Sequence, residues 1–592
     1  TCRCTPVARR SSRKGRGAAA RSGSVRERET TMEPRKDLFT PAALAVSAVF
    51  FALFLFYPLG YAAANAVAVE GRVTADFFRL LASNPVMAES ILNSFLIGAC
   101  VTLLSLVLGY VFAWFMARFA FSGKALWGTL LMAPMVLPPF VGAIGVRQVF
   151  GRYGMVNSLL INAGLIDPRA PVAWLSEPFW GVVILETLHL FPIVYLNISG
   201  SFALTDPSLE EAARGLGARG VRLFRSITFP LLLPGVFAGC AIVFIWAFTD
   251  LGTPLIFEYR TVVPVQIFNM VTQQAENPAG YALVMVVLAA TFLLFVAGRL
   301  LYGGKRYESA GAGRAGVSPR RLSPPARLAV HAAFALVLAL ALLPHFSVIM
   351  VSLSRGWFLS VLPERFTLDH FRGVFIHPLS FLSVRNSVFL SFMSAGLDVA
   401  LGGTIAFLLA RKRFPGKEVL DALTMLPLAI PGVVLAFGYV GCFSGTALDP
   451  RADPFPLLVM SYAVRRLPLV VRAVYAGLIQ VDLSLEEAAA GLGAPPRAVL
   501  RTVTAPLVLT NVVGGGVLAF AFAMLEVSDS LILAMEERFY PVTKAIYVML
   551  GRLTDGHNIA SAMGVMGMAL LIAALALSGK LLGKRMGEMF RT

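Results

Sequence analysis

EEAARGLG, residues 210–217, and EEAAAGLG, residues 486–493, are two copies of one eight-residue phrase set 276 positions apart. The phrase is polar, and the chain around it is not. Of 592 residues, 57% are hydrophobic and only 14% are charged, against about 25% charged in an ordinary soluble domain. Such a composition describes a polytopic membrane protein and argues against a soluble enzyme.

A membrane-crossing helix needs about 20 mostly apolar residues. Twelve stretches qualify, near 42–66, 91–117, 126–147, 178–203, 231–256, 281–303, 327–353, 387–410, 418–443, 455–478, 507–533 and 557–580. The segment GGKRYESAGAGRAGVSPRRLSPPAR, between the sixth and seventh, is rich in Gly, Ser, Pro and Arg and has no hydrophobic period. It reads as a flexible polar linker. The expected organisation is a basic tail over 1–38, a first half over 39–303, a linker over 304–326 and a second half over 327–592.

The halves match beyond the opening phrase. An offset of 293 carries Asn93-Ser94, Ala117-Arg118, Gly123-Lys124, Pro134 and Pro138 onto Asn386-Ser387, Ala410-Arg411, Gly416-Lys417, Pro427 and Pro431. Further on, an offset of 276 carries Pro192, Asp206, Ser208 and Pro230 onto Pro468, Asp482, Ser484 and Pro506. The change in offset places a longer outer loop in the first half, around GRYGMVNSLLINAGLIDPRAP. Six spans return the chain to its starting side, so the repeat is parallel and implies a pseudo-two-fold axis along the membrane normal. The expected fold is all-α, a polytopic membrane protein of two parallel six-helix repeats with a pathway between them.

Charge orients the chain. Placing the N-terminus in the cytoplasm puts most of the 51 Lys/Arg on the inner side, including Arg118, Lys124 and the run RKRFPGK at 411–417. Excess basic charge marks that side, so both termini and both phrases are expected in the cytoplasm. The stretch before Met32 carries nine Lys/Arg and two Glu. It is Arg- and Ser-rich like a transit peptide, but the chain opens on Thr1, and the expected initiator is Met32. No aromatic residue is interleaved with its charge, so no nucleic-acid partner is expected. The five cysteines, Cys2, Cys4, Cys100, Cys240 and Cys442, form no C-x-x-C or disulfide spacing. Neither zinc nor a disulfide framework follows.

Each phrase sits in a helix-start and helix-stop context. The first reads TDPSLEEAARGLGARGVRLFRSITFPLLLPG and the second VDLSLEEAAAGLGAPPRAVLRTVTAPLVLTN. Asp206-Pro207 fits an N-cap followed by the first helical residue. Ser208 and Ser484 fit equally as N-caps of a capping box closed by Glu211 and Glu487. Gly217 and Gly493 fit the left-handed residue that ends a helix. The expected product is a short helix-turn-helix along the membrane face, with small alanines leaving a flat surface for another protein.

The pattern Glu-Ala-Ala, three residues, Gly, nine residues, Ile-x-Leu-Pro resembles the signature of permease subunits of bacterial ABC importers. It is met here by Glu211-Ala212-Ala213, Gly217 and Ile227-Thr228-Phe229-Pro230, and again by Glu487-Ala488-Ala489, Gly493 and Val503-Thr504-Ala505-Pro506. Phe229 and Ala505 stand where the family has Leu, and Val503 where it has Ile. The resemblance covers about residues 39–592 and implies the type I ABC importer permease fold in the bacterial plasma membrane. It implies docking of Glu211 and Glu487 on two copies of a separate ATP-binding subunit, with Gly217 and Gly493 setting the angle and Pro230 and Pro506 opening the next span. It also implies a periplasmic or lipid-anchored substrate-binding protein, besides membrane lipid. The chain has no G-x-x-x-x-G-K-[ST] of its own. It is therefore expected to bind no cofactor and to be no enzyme, with ATP used by the partners.

FGRYGMVNSLL at 150–160 and FTDLGTPLI at 248–256 resemble fused permeases of ferric-iron importers; related permeases carry thiamine, aminoethylphosphonate or polyamines. A Lys-Glu-Leu-Pro-like phrase is expected in an iron permease, and the chain has LEVSDSLIL at 525–533 instead. Ferric iron is the first-choice cargo, and a secondary transporter is the alternative of another class. Ionisable residues inside spans often mark pathways. Asp250 and Glu526 align at the 276 offset in the fifth span of each half, and His189 aligns with Arg465 in the fourth. These four are the pathway candidates, with Asp250 and Glu526 expected as a pair near the axis.

Overall fold

In the computed structural model the described residues are 38–69, 72–174, 177–271, 279–302, 320–552 and 556–582. The basic tail up to residue 37 and most of the 304–326 linker lie outside them. Lipid offers no partner for backbone N–H and C=O groups, so a spanning chain must satisfy them within helices or a closed barrel. This chain takes the helical solution, and its only strands among the described residues are two-residue pairs.

The architecture is carried by ten helices in each half. In the first they are α1 (Phe39–Val67), α2 (Pro85–Arg118), α3 (Lys124–Val136), α4 (Pro139–Phe150), α5 (Pro178–Leu204), α6 (Pro207–Gly215), α7 (Phe229–Thr249), α8 (Gly252–Ile256), α9 (Val263–Met270) and α10 (Ala279–Tyr302). Their counterparts in the second are α11 (Pro324–Leu353), α12 (Pro378–Arg411), α13 (Lys417–Ala429), α14 (Gly432–Phe443), α15 (Phe455–Leu478), α16 (Leu483–Gly491), α17 (Ala505–Met524), α18 (Ser528–Leu533), α19 (Val542–Leu550) and α20 (Gly556–Leu582). These ten helices recur in the same order, and the first half adds a short helix, Met155–Asn162.

Among the described residues, eight helical segments are long and apolar enough to cross a membrane, and two bent pairs bring the number to ten. The remaining two expected spans fall on α10 and α15, and α15 carries Arg465, Arg466 and Arg472 along its length. The third and ninth expected spans are broken. α3 and α4 meet at 89°, and α13 and α14 at 98°. The cause lies in the sequence. Pro138 and Pro431 are extended, with ψ of 126° and 138°, and Pro there also lacks the N–H a continuous helix needs. α4 and α14 thus begin inside the membrane domain.

The halves are interlocked by their first spans. α11 lies along α4 of the first half, and the second part of α1 lies along α14 of the second. Tyr439 donates its hydroxyl proton to the Phe54 carbonyl at 2.6 Å, and Trp127 donates to His331 Nδ1 at 2.8 Å. Phe112 on α2 meets Phe334 on α11 edge to face at 4.7 Å. Matched glycines permit this closeness. Gly145 packs directly on the Pro344 backbone, and a methyl on Gly438 would sit 2.9 Å from the Pro58 carbonyl oxygen. Small residues serve the same purpose wherever membrane helices touch closely. The linker's last residues also take part, since Arg320-Arg321 pair in parallel with Phe119-Ala120.

Gly145→Ala and Gly438→Ala should both loosen the contact between halves. Overpacking typically costs about 1–3 kcal/mol. The Gly145 variant should be the worse, and a lowered melting temperature of detergent-purified protein would register it.

Candidate functional site: the paired loops

Both copies of the opening phrase fold alike, because both carry the same stop and start signals. Asp206 caps α6 by accepting from Ser208 N at 2.9 Å, and Asp482 caps α16 by accepting from Ser484 N at 3.0 Å. These backbone hydrogen bonds hold both carboxyls below the usual range. The aspartate reading of the start therefore holds, and the capping box built on Ser208 and Ser484 does not form. The ends are equally alike. Gly217 N bonds Arg214 O and Ala218 N bonds Ala213 O, at 3.0 and 2.9 Å. Gly493 N bonds Ala490 O and Ala494 N bonds Ala489 O, at 2.9 and 3.1 Å. This is the Schellman pattern, and it requires a left-handed residue. Gly217 and Gly493 supply it, each at φ 88°.

Two glutamates stand side by side in each copy, and they have opposite fates. Glu211 and Glu487 are exposed. Glu210 is 2% exposed and is bonded by Arg118, by Arg214 at 3.4 Å and by the Thr228 hydroxyl at 2.8 Å. In the second copy, Arg411 Nε and the Thr504 hydroxyl both donate to Glu486, each at 3.0 Å. Arg411 also donates to the Val481 carbonyl at 2.9 Å. Glu210, buried, and Glu486, half-buried, each join their loop to the end of the second span of their half and to the π-helical turn that opens the fifth, Phe224–Thr228 or Leu500–Thr504. Sequence reasoning passed over Glu210 and Glu486, although their partners were visible as matched pairs, Arg118 with Arg411 and Thr228 with Thr504.

The loop surface is not the flat alanine face expected. Ala212 and Ala488 are exposed, while Ala213 is buried and Ala489 half-buried. The tip of each loop is a leucine projecting almost wholly into solvent, Leu216 at 90% and Leu492 at 91% exposure. The same exposed leucine thus stands at the same turn of both loops. Pro230 and Pro506 each follow the π-helical turn, at the start of α7 and α17.

The four span residues are engaged within their own halves. Asp250 accepts from Gly252 N at 3.3 Å and Thr253 N at 2.8 Å, capping α8, and Glu186 accepts from the Thr253 hydroxyl at 2.8 Å. His189 Nδ1 lies 2.8 Å from the Pro134 carbonyl beside the bend between α3 and α4. Glu526 is held by Arg465 and Arg466, and Arg465 also reaches Asp529 at 3.4 Å. Arg465 and Glu526 are brought together, whereas Asp250 and Glu526 each turn into their own half. The apolar neighbours of these carboxylates meet instead, for a methyl on Gly252 would come within 3.0 Å of Val527 Cγ1.

The Glu210 carboxyl titrates against its partners. Burial alone would raise it, but the hydrogen bonds from Arg118 and Thr228 and the charges of Arg118 and Arg214 outweigh burial and hold it low. The brace is therefore complete above the ordinary Glu range, about pH 4.3, and is lost as pH falls through the lower folded value. Glu210→Ala strands Arg118 and should cost about 2–3 kcal/mol, discounted from a fully buried pair because Arg118 is partly exposed. Glu486→Ala should cost less, because Arg411 keeps its bond to the Val481 carbonyl and Glu486 is itself 17% exposed. Melting curves of the purified variants would rank the two.

The chain matches the family model described as binding-protein-dependent transport system inner membrane component twice, over residues 105–306 and 401–588. It is 28% identical to the ferric transport system permease protein FbpB of Actinobacillus pleuropneumoniae over 492 residues, covering 82% of this chain and 69% of the relative. It is 26% identical over 463 residues to the Fe(3+)-transport system permease protein FbpB 2 of Haemophilus influenzae, covering 76% and 82%. The molybdenum transport system permease protein ModB of Mycobacterium tuberculosis matches at 28% over 277 residues, 46% of this chain and 98% of the relative. With two matched copies, duplicated loops and an interlocked helical membrane domain, the chain belongs to the family of inner membrane components of binding-protein-dependent transport systems.

Proposed function

We propose that this chain carries both halves of the permease of an ATP-driven importer of ferric iron, with its termini and both loops on the cytoplasmic side. The observation that carries this reading is the duplicated loop, with its aspartate cap, glycine stop and exposed leucine tip in both copies. Two like handles fit two copies of one ATP-binding subunit, and the sequence has no G-x-x-x-x-G-K-[ST] motif. In this reading Glu211 and Glu487 form polar contacts with the ATPases, Ala212 and Ala488 lie against them, and Leu216 and Leu492 fill apolar pockets on them. Ala213, Ala489, Gly217, Gly493, Pro230 and Pro506 shape the handle.

Ferric iron is supported by the breadth of the match. The relatives named for ferric transport align across both halves, whereas ModB aligns with 46% of the chain. A periplasmic or lipid-anchored binding protein delivers the cargo. Closure of the ATPase pair on ATP draws α6 and α16 together and favours one arrangement of the halves over the other, which is all a ligand needs to do to drive a conformational change. Asp250, His189, Glu526 and Arg465 support the passage from behind its apolar lining.

Reconstitution with the ATPase subunits and a loaded binding protein tests the reading, with radioactive ferric iron as the probe. Uptake is expected only with ATP. The double variant Glu211→Ala, Glu487→Ala should abolish it while melting normally, because both side chains are exposed. Uptake that persists without the ATPase subunits would establish a secondary transporter instead. ATP-driven uptake of thiamine or a phosphonate, with none of ferric iron, would overturn the cargo.

A further inference from the structure

The loop reading leaves one repeated pair unused, Asn93-Ser94 with Asn386-Ser387. The structure gives it the same task in both halves. Ser94 Oγ accepts from Val263 N, the first residue of α9, at 2.8 Å. Ser387 Oγ accepts from Val542 N, the first residue of α19, also at 2.8 Å. Asn93 donates to the Thr261 carbonyl at 2.9 Å, and Asn386 to the Tyr540 and Arg538 carbonyls at 3.2 and 3.0 Å. The first N–H groups of a helix have no partner within it, and neither short helix has a side-chain cap of its own. The start of each is therefore pinned to the second span of its half.

The two pinned helices meet each other. The Phe268 and Tyr547 rings stand edge to face with centroids 6.4 Å apart. The offset of 279 that carries Val263 to Val542 and Ile267 to Ile546 carries Phe268 to Tyr547. A residue in contact with its own symmetry mate lies beside the axis relating the two. Gly252 closely approaches Val527, the neighbour of its own match Ser528, so the halves also meet near this point. Lys544 closes the gap from the side, its Nζ 5.2 Å from the centre of the Phe268 ring and donating to the Leu531 carbonyl at 2.8 Å. Its matched position in α9 is the apolar Val265.

The helix that pins each gate element also carries the brace at its other end. α2 and α12 are each 34 residues long without a break. Arg118 lies 25 residues beyond Asn93, and Arg411 25 beyond Asn386, a separation of about 38 Å along a helix. Both are stiffened by their neighbours, since α2 packs along α5 and α12 along α15 more extensively than any other helix pair among the described residues.

We propose that α9 and α19, meeting at Phe268 and Tyr547, are the gate at the far end of the passage, and that α2 and α12 are rods linking that gate to the loops. A displacement of α6 enters the rod through Glu210 and Arg118 and leaves it through Asn93 and Ser94, with Glu486, Arg411, Asn386 and Ser387 doing the same in the second half. Packed interiors shift between discrete arrangements and do not deform continuously, so a small movement at one end is delivered at the other. What moves α6 and α16 rests on the ATPase reading above; the linkage itself rests on the hydrogen bonds.

The test places Tyr547→Cys in a chain whose native cysteines are replaced, reconstituted with the ATPase and binding protein, and exposes the outer face to a membrane-impermeant maleimide. Trapping the complex with ATP and vanadate should raise the labelling rate about tenfold. In the anchor variant, with Ala at Asn93, Ser94, Asn386 and Ser387, ATP hydrolysis should continue while the rise shrinks to about twofold or less. Ser94→Thr with Ser387→Thr keeps the accepting hydroxyls and should keep the full rise. An undiminished rise in the anchor variant would overturn the rods. A Phe268→Cys, Tyr547→Cys pair provides a check that does not depend on the anchor variant folding. Cross-linking it should stop uptake until reductant is added, and unimpaired uptake while cross-linked would overturn the gate. A parent complex with no ATP-dependent uptake of any solute would instead remove the ATPase reading.

Discussion

Glu210 is a carboxylate buried beneath the loop surface, and it stays there because Arg118 and Thr228 meet it. A buried charge without partners is expensive, so the position of the loop is fixed by the position of the arginine. That arginine ends a 34-residue helix. The loop therefore cannot move without either dragging the helix or exposing an unpaired ion pair. The second copy obeys the same constraint through Glu486, Arg411 and Thr504. Stiffness at the loops, which a docking partner needs if its movement is to reach the membrane, comes from this pair. Helix propensity contributes little, for α6 and α16 have nine residues each, too few for an isolated helix to be stable in water.

The middle of the membrane domain follows a different rule. Backbone breaks at membrane depth are tolerated only where protein groups take up the freed hydrogen bonds. Each half has two such breaks, one at Pro138 or Pro431 and one just after α7 or α17. Polar side chains gather at these places. Asp250 supplies the acceptor that α8 lacks at its start, and His189 reaches the carbonyl of Pro134 by the bend. Asp250 and His189 are thus accounted for by the interrupted backbone around them, whereas Asp398, fully buried in the unbroken α12 with no hydrogen-bond partner among the described residues, is not.

The repeat, the helical class, the two halves and the loop boundaries were legible in the sequence because each rests on local chemistry repeated at fixed offsets. Asp-Pro before a helix and Gly after it state their roles without tertiary help. Which of two adjacent glutamates would be buried was not legible. Glu210 and Glu211 differ by one position, and the choice is made by Arg118, 92 residues away in the chain. The bends were half legible: Pro134 and Pro138 were visible as matches, but apolar length alone reads such a stretch as one straight span. Leu216 was hidden for the opposite reason. An apolar residue near the end of a hydrophobic protein's helix reads as core until the chain's path shows that nothing covers it.

The halves are alike in outline and unlike in how they hold their carboxylates, and the difference shows what fusion permits. At equivalent depth the first half has Asp250 with Thr253, and the second has Glu526 with Asp529. A shorter Asp can cap the following helix directly, as Asp250 does. The longer Glu526 faces α15, where a second carboxylate beside it would be intolerable alone. Arg465 and Arg466 stand there, at the positions held by His189 and Leu190 in the first half. Two identical subunits could not divide the work in this way, because any arginine added to one copy would appear in both. One continuous chain lets each half balance its own charges while the matched pair Phe268 and Tyr547 still meet across the halves.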